Sequence, residues 1–248
     1  MAVASIAVIR EGTGPEVLLV HGGASPRATW SALGPLAARW TLALVHRRGY
    51  PPSPRLSGTV QDFEVDAADL ASLLESRPHV VAHSYGVLGA LIAATRTPAG
   101  VRSLTLIEPP LWYLAPGDAE VARLERLGDA VLTQGLDADA ETLREFLRLA
   151  GASDVEDGPL PEAVAAGVRR AHGGRLPREA RPRLEALGEA EVPSLVASGD
   201  HSPGLERVCD ALADALGSER VIAPGAGHFV AAAPAFPDQL EAFLLSAS

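Results

Sequence analysis

The chain of 248 residues contains no lysine; all 21 of its basic residues are arginine. Without a side-chain primary amine there is no lysine Schiff base, no internal anchor for pyridoxal phosphate and no Walker-type phosphate loop. Asparagine is absent as well, and with the abundance of Ala, Gly, Pro and Arg this reads as the coding bias of a GC-rich genome. There is one cysteine, Cys209, so an internal disulfide framework is excluded, and its place on a helical stripe makes it a core residue. No apolar run approaches the length of a membrane span, and the first residues lack a basic-then-apolar signal pattern. A cytoplasmic protein with no membrane partner is therefore expected. Positive charge is also scarce. The net charge is −10 and the arginines are scattered, adjacent only at Arg47-Arg48 and Arg169-Arg170, so nothing argues for a nucleic-acid partner. No Cys/His cluster occurs, and no metal or other cofactor is expected. The partner that remains is a small-molecule substrate. The sequence leaves the oligomeric state open.

What is present is a well-fed core. Apolar residues make up 47 % of the chain, and its length suits a single α/β domain. Short β-rich runs fall at 3–9, 17–21, 42–46, 80–83, 103–108, 194–198 and 220–223, and helical patterns lie between them. Leu205, Val208, Cys209, Leu212 and Leu216 form one amphipathic stripe, and Phe63, Leu70, Leu73 and Leu74 another. This alternation predicts a mostly parallel sheet with helices on both faces. The rhythm breaks after Leu111. From there to about Glu191 no strand is predicted, and helices are expected around 121–132, 141–150, 161–171 and 177–187. The expected organisation is a core of residues 1–110 and 191–248 with a helical cap at 111–190.

Ser84 stands in the string His79-Val80-Val81-Ala82-His83-Ser84-Tyr85-Gly86-Val87-Leu88-Gly89. An apolar run, then small-x-Ser-x-small, then helical spacing describes a serine on a sharp strand-to-helix turn. Such a turn pushes the hydroxyl out of the sheet. The helix behind it offers free N–H groups and a positive dipole end to an oxyanion. A buried turn serine is the plain alternative on this motif alone.

In this order of segments the chain resembles the α/β-hydrolase family, in its capped, serine-nucleophile, esterase- and haloperoxidase-like form. Val17-Leu18-Leu19-Val20-His21-Gly22-Gly23 is similar to the strand and His-Gly turn before the family's first large helix. The resemblance implies that the backbone N–H groups of Gly23 and Tyr85 form the oxyanion hole. Leu44-Val45-His46-Arg47-Arg48-Gly49-Tyr50 is similar to a segment that commonly reads Asp-Arg-x-Gly, with His46 in place of the aspartate. His46 is expected to be structural or to line the rim. Val221-Ile222-Ala223-Pro224-Gly225-Ala226-Gly227-His228 is similar to the last strand and the loop of the catalytic histidine, which makes His228 the general base.

The third member of the triad has two candidates. The family's common pattern after the penultimate strand is Gly-x-x-Asp, but three residues after Gly199 stands Ser202, and Asp200 is only one residue on. In haloalkane dehalogenase-like relatives the acid can follow the strand after the nucleophile helix, and there this chain has Glu108. An acid missing from one place and present at the other favours Glu108 over Asp200. A serine nucleophile fits acyl transfer: attack on a carbonyl, a tetrahedral oxyanion, then release by water. Trp112 and Tyr113, at the entry to the cap, are candidates for the substrate pocket, with cap-to-core packing as the alternative. The function implied is cofactor-independent hydrolysis of a small or medium carboxylic ester, lactone or thioester. Acyl transfer, perhydrolase or lyase chemistry, or a non-catalytic ligand-binding role on the same fold, are the alternatives.

Overall fold

The computed structural model describes residues 5–54, 61–153, 155–156 and 158–247. Among the described residues seven strands form one sheet: β1 (Ala7–Glu11), β2 (Glu16–Val20), β3 (Thr41–His46), β4 (His79–His83), β5 (Ser103–Ile107), β6 (Ser194–Ser198) and β7 (Glu219–Ile222). Their spatial order is β1-β3-β2-β4-β5-β6-β7. β1 pairs antiparallel with β3 and the other pairings are parallel. The run predicted at 3–9 begins on residues 3 and 4, which lie outside the described residues, and its strand extends instead to Glu11. α1 (Pro26–Trp30), α2 (Phe63–Ala71), α3 (Gly86–Arg96), α8 (Pro203–Leu216) and α9 (Phe236–Ser246) flank the sheet.

The central strands read as unbroken apolar runs because both of their faces are covered. Leu18, Val20, Val80, Ala82, Leu104, Leu106 and Val196 point toward the side of α2, α3 and α8. Their neighbours Val17, Leu19, Val81, Ile107, Leu195 and Ala197 point toward Trp30, Leu33, Phe236 and Leu240 on the other side. This is the period of two that a strand imposes. Each leucine buried to this degree contributes about 1.5–3 kcal/mol relative to exposure.

Between β5 and β6 the chain carries α4 (Ala119–Gln134), α5 (Ala140–Leu149), α6 (Glu162–Ala171) and α7 (Glu185–Glu189), and no strand among the described residues. α4 and α5 start on aspartate caps: Asp118 accepts from the Glu120 and Val121 N–H groups, and Asp139 from that of Thr142. One expected helix is absent. Residues 177–187 do not form a single helix; they hold a 3₁₀ turn at Pro177–Glu179 and then α7. Pro182 explains the break, since it lacks an N–H and steers Arg181 out of helical geometry. α7 also packs on the core, where Leu184 and Leu187 join the cluster around α3.

Candidate active site

Three parallel strands end at one level, and the residues that follow them meet there. Pairing continues past the strand ends, with Ser84 N–H donating to Ile107 O at 2.8 Å and Glu108 N–H to Ala197 O at 3.0 Å. Ser84 has φ of 54° and Glu108 φ of 48°, both in the left-handed region that L-residues occupy at a cost. The backbone therefore leaves each strand abruptly and brings Ser84 and Glu108 to the same edge of the sheet. Gly86 makes the serine turn possible: a Cβ there would stand 2.3 Å from the His21 carbonyl oxygen. Gly22 is also tightly packed, and a Cβ on it would lie 2.7 Å from Ser84 Cβ. The turn 21–23 therefore runs directly beside the serine.

Glu108 is buried at 1 % exposure. Its Oε2 lies 2.6 Å from His228 Nδ1, and its Oε1 accepts from the Gly199 N–H at 2.9 Å. A carboxylate only accepts, so Nδ1 of His228 carries the proton and Nε2 is left free to act as a base. Burial pushes the Glu108 carboxyl up, but its contacts with His201 and His228 outweigh this and hold it down at about 2. Asp200 is placed differently. It is exposed, and its N–H donates to Glu206 Oε1 at 3.0 Å. The acid and histidine loops touch through glycine: a Cβ on Gly199 would fall 1.9 Å from the Gly227 carbonyl oxygen.

Two histidines that the sequence reading passed over belong to this cluster. His83, directly before Ser84, is buried, and its Nε2–H donates to the His228 carbonyl at 2.8 Å. Its ring lies 4.5 Å from the His228 ring and stacks on Phe229. Burial brings the His83 imidazole down to about 3, so it is a neutral clamp on the histidine loop. The signal was available, since His83 is a polar residue ending a fully buried strand. His201, on the loop after β6, places Nδ1 3.3 Å from Glu108 Oε1 and Nε2 3.1 Å from the Leu149 carbonyl. Glu108, His201 and His228 bring ligand-type atoms within 4.8 Å of one another. Within the group His228 Nδ1 is hydrogen-bonded to the carboxylate, whereas His201 Nδ1 is buried with no hydrogen-bond partner among the described residues.

The Gly22-Gly23 turn is held from below. Arg47 Nη1 donates to Gly22 O at 2.9 Å and Tyr50 Oη to Gly23 O at 2.7 Å. Arg47 is fixed in turn by Asp66, at 2.6 Å, with both side chains almost wholly buried. The carbonyls of the turn are thereby pinned, while the N–H groups of Gly23 and Tyr85 take no backbone hydrogen bond among the described residues. Tyr85 is the first residue of the turn into α3, whose remaining N–H groups point the same way. His46 stands apart from the cluster, with Nδ1 2.6 Å from the Pro51 carbonyl. Ser84 Oγ makes no hydrogen bond among the described residues, so the Ser84–His228 contact is not closed in this state. Hydrogen bonds of this kind commonly tighten only around substrate.

Residues between β5 and β6 reach this edge. The Tyr85 hydroxyl donates to the Arg175 carbonyl at 2.9 Å, Arg170 lies over the Tyr50 ring at 4.4 Å, and Gly151 abuts Phe229 and His228. Trp112 and Tyr113 pack against the core at the start of this segment, and Arg181 lies over the Tyr113 ring at 4.6 Å.

Comparisons with known proteins agree with this layout. Residues 17–241 match the sequence profile of the alpha/beta hydrolase family. A pimeloyl-[acyl-carrier protein] methyl ester esterase from Methylococcus capsulatus is 34 % identical over 182 residues, covering 71 % of this chain and 66 % of that one. Another from Aeromonas hydrophila is 32 % identical over 113 residues, 45 % of this chain and 44 % of its own. The matched stretches thus span two thirds or less of these relatives. Among solved structures, a thermophilic esterase from Thermogutta terrifontis superposes with a TM-score of 0.67 at 23 % identity, covering 98 % of this chain and 93 % of that one. A bacterial membrane phospholipase A does so with 0.72 at 22 % identity, covering 98 % and 83 %. At these identities the two structures speak for the fold. No helix among the described residues is long and apolar enough to cross a membrane.

Proposed function

Because this chain belongs to the alpha/beta hydrolase family, we propose that it is a serine hydrolase of carboxylic esters, with Ser84 as nucleophile, His228 as base and Glu108 as the orienting acid. The observation that carries this reading is the 2.6 Å contact of Glu108 with His228 beside a serine on a left-handed turn. His228 Nε2 takes the hydroxyl proton as Ser84 Oγ attacks the ester carbonyl. Glu108 holds the imidazole in the required tautomer and stabilises the imidazolium. The Gly23 and Tyr85 N–H groups receive the oxyanion, two donors that need no reorganisation because the turn carbonyls are already fixed by Arg47 and Tyr50. His228 then protonates the leaving alcohol, and water, activated by the same nitrogen, releases the acid from Ser84.

Residues 111–190 serve as a cap over this site, a role supported by the contacts of 149–151 and 170–175 with His201, His228, Tyr85 and Tyr50. Trp112 and Tyr113 follow Glu108-Pro109-Pro110-Leu111 and are the candidates for the pocket wall, although both pack against the core. The names of the curated relatives make methyl esters of medium-chain acids the first substrates to assay. Ser84→Ala, measured on p-nitrophenyl and methyl esters, is expected to lose on the order of 10⁴ or more in turnover with the fold intact. Near-normal turnover in purified Ser84→Ala would remove the proposal.

A further inference from the structure

Glu108 has two histidines, one on each carboxylate oxygen, and the mechanism uses one of them. Oε2 faces His228, and Oε1 faces His201 Nδ1 at 3.3 Å. The other nitrogen of His201, Nε2, lies 3.1 Å from the carbonyl oxygen of Leu149, the last residue of α5. That oxygen can only accept, so Nε2 carries hydrogen. A neutral ring then leaves Nδ1, a buried atom with no hydrogen-bond partner among the described residues, bare 3.3 Å from Glu108 Oε1. Both Glu108 oxygens are engaged as acceptors, Oε1 from Gly199 N–H and Oε2 from His228, so the carboxyl is ionised and has no proton to offer. Two lone-pair atoms this close in a buried place are repulsive. A proton on Nδ1 turns that repulsion into an ion pair.

We propose that His201 is a protonated positioning residue: its imidazolium ties the carbonyl at the end of α5 to the Glu108 carboxylate and so couples the cap segment to the catalytic acid. The groups around it agree. Glu108 comes from the end of β5, Glu206 from α8, and the Leu149 carbonyl from α5; all three are acceptors or anions. The His228 ring, 6.1 Å away, opposes them once it is charged. Burial draws the His201 imidazole down, but the Glu108 carboxylate, the Leu149 carbonyl and Glu206 outweigh it and leave the group raised. This arrangement has a cost for catalysis. When His228 gains its proton, two cations share one carboxylate, so His201 opposes the charge that forms on the base while holding the acid in place.

The kinetic consequence rests on the triad reading above, whereas the protonation state does not, and the two are measured separately. Long-range ¹⁵N correlation spectra of the wild-type chain report the state of each histidine ring without any turnover. His201 is expected to carry protons on both nitrogens and to titrate above the ordinary 6.5. A neutral His201 with bare Nδ1 at pH 6.5 would overturn the proposal, whatever the enzyme hydrolyses. In kinetics, His201→Gln removes the charge but keeps an amide donor for Leu149. The acid limb of kcat/KM is expected to move to higher pH by about one unit, because a cation about 6 Å from the base has gone. A purely structural role would change the size of kcat/KM and leave that limb in place; an unmoved limb in a folded His201→Gln would contradict the inference.

Discussion

Replacing Glu108 with glutamine preserves shape and removes charge, and the structure dictates which way the new amide must face. Oε1 accepts from the Gly199 N–H at 2.9 Å and, with His201 protonated as inferred above, meets a second donor in its ring at 3.3 Å. Oε2 meets one, His228 Nδ1. If the amide NH₂ took the Oε1 position it would oppose both donors in a site of 1 % exposure, at about 1–3 kcal/mol for each unmet group. The amide oxygen therefore stays toward Gly199 and the NH₂ faces His228. Nδ1 must then accept, which moves the ring proton to Nε2, the nitrogen that should receive the serine proton. A triad in the wrong tautomer loses about 10⁴ in turnover, roughly 5 kcal/mol of barrier. Initial rates on a p-nitrophenyl ester, with thermal melting to confirm the fold, measure this. Asp200→Asn is the matched control, because the structure gives its side chain no bond to His228 and engages its N–H with Glu206; its rate should stay within about tenfold. A folded Glu108→Gln within tenfold of wild type, or Asp200→Asn as the worse of the two, would refute the assignment.

Further outcomes follow from packing and charge. Gly199→Ala drives a Cβ against Gly227 backbone and should cost roughly 1–3 kcal/mol and most of the turnover, while Gly188→Ala, with nothing within 4 Å, should melt at or above wild type. Arg47→Met leaves Asp66 buried and unpaired, an expected loss of about 3–5 kcal/mol in urea unfolding, whereas the double change Arg47→Met, Asp66→Leu should recover much of it; equal losses would mean the pair does not act as a unit. His83 and His79 are both lowered by burial, to about 3 and about 4, so their neutral rings favour the fold above pH 6.5 and that contribution is lost as the pH falls toward those values. Between pH 7 and 5 each should remove up to roughly 2 kcal/mol, and His83→Gln should flatten the decline. His201, being raised, runs the other way: its contribution is present below 6.5 and fades as the pH rises.

Most of the architecture could be read from the chain because the sheet is covered on both sides. Strands such as Leu104 to Ile107 have no solvent face to interrupt them, so they stand out from the amphipathic helices. Ser84 and Glu108 were visible for a related reason: each is a polar residue at the end of such a run, where a parallel sheet presents its functional edge. The partnership of His201 with Glu108 joins positions 93 residues apart and depends on a loop path that no local pattern specifies. Arg47 and Asp66 pair across 19 residues, and only their low exposure, a property of the fold, marks them out from the surface arginines and acids around them. The single helix expected at 177–187 is broken at Pro182, whose missing N–H separates the 3₁₀ turn at Pro177–Glu179 from α7.

The most direct test of the account is covalent. Intact-mass spectrometry after exposure to a fluorophosphonate, followed by peptide mapping, reads the nucleophile without knowledge of the natural ester. The account predicts a single adduct on Ser84, absent in Ser84→Ala and formed far more slowly in Glu108→Gln. Ester turnover with no adduct, or an adduct on another residue, would contradict it.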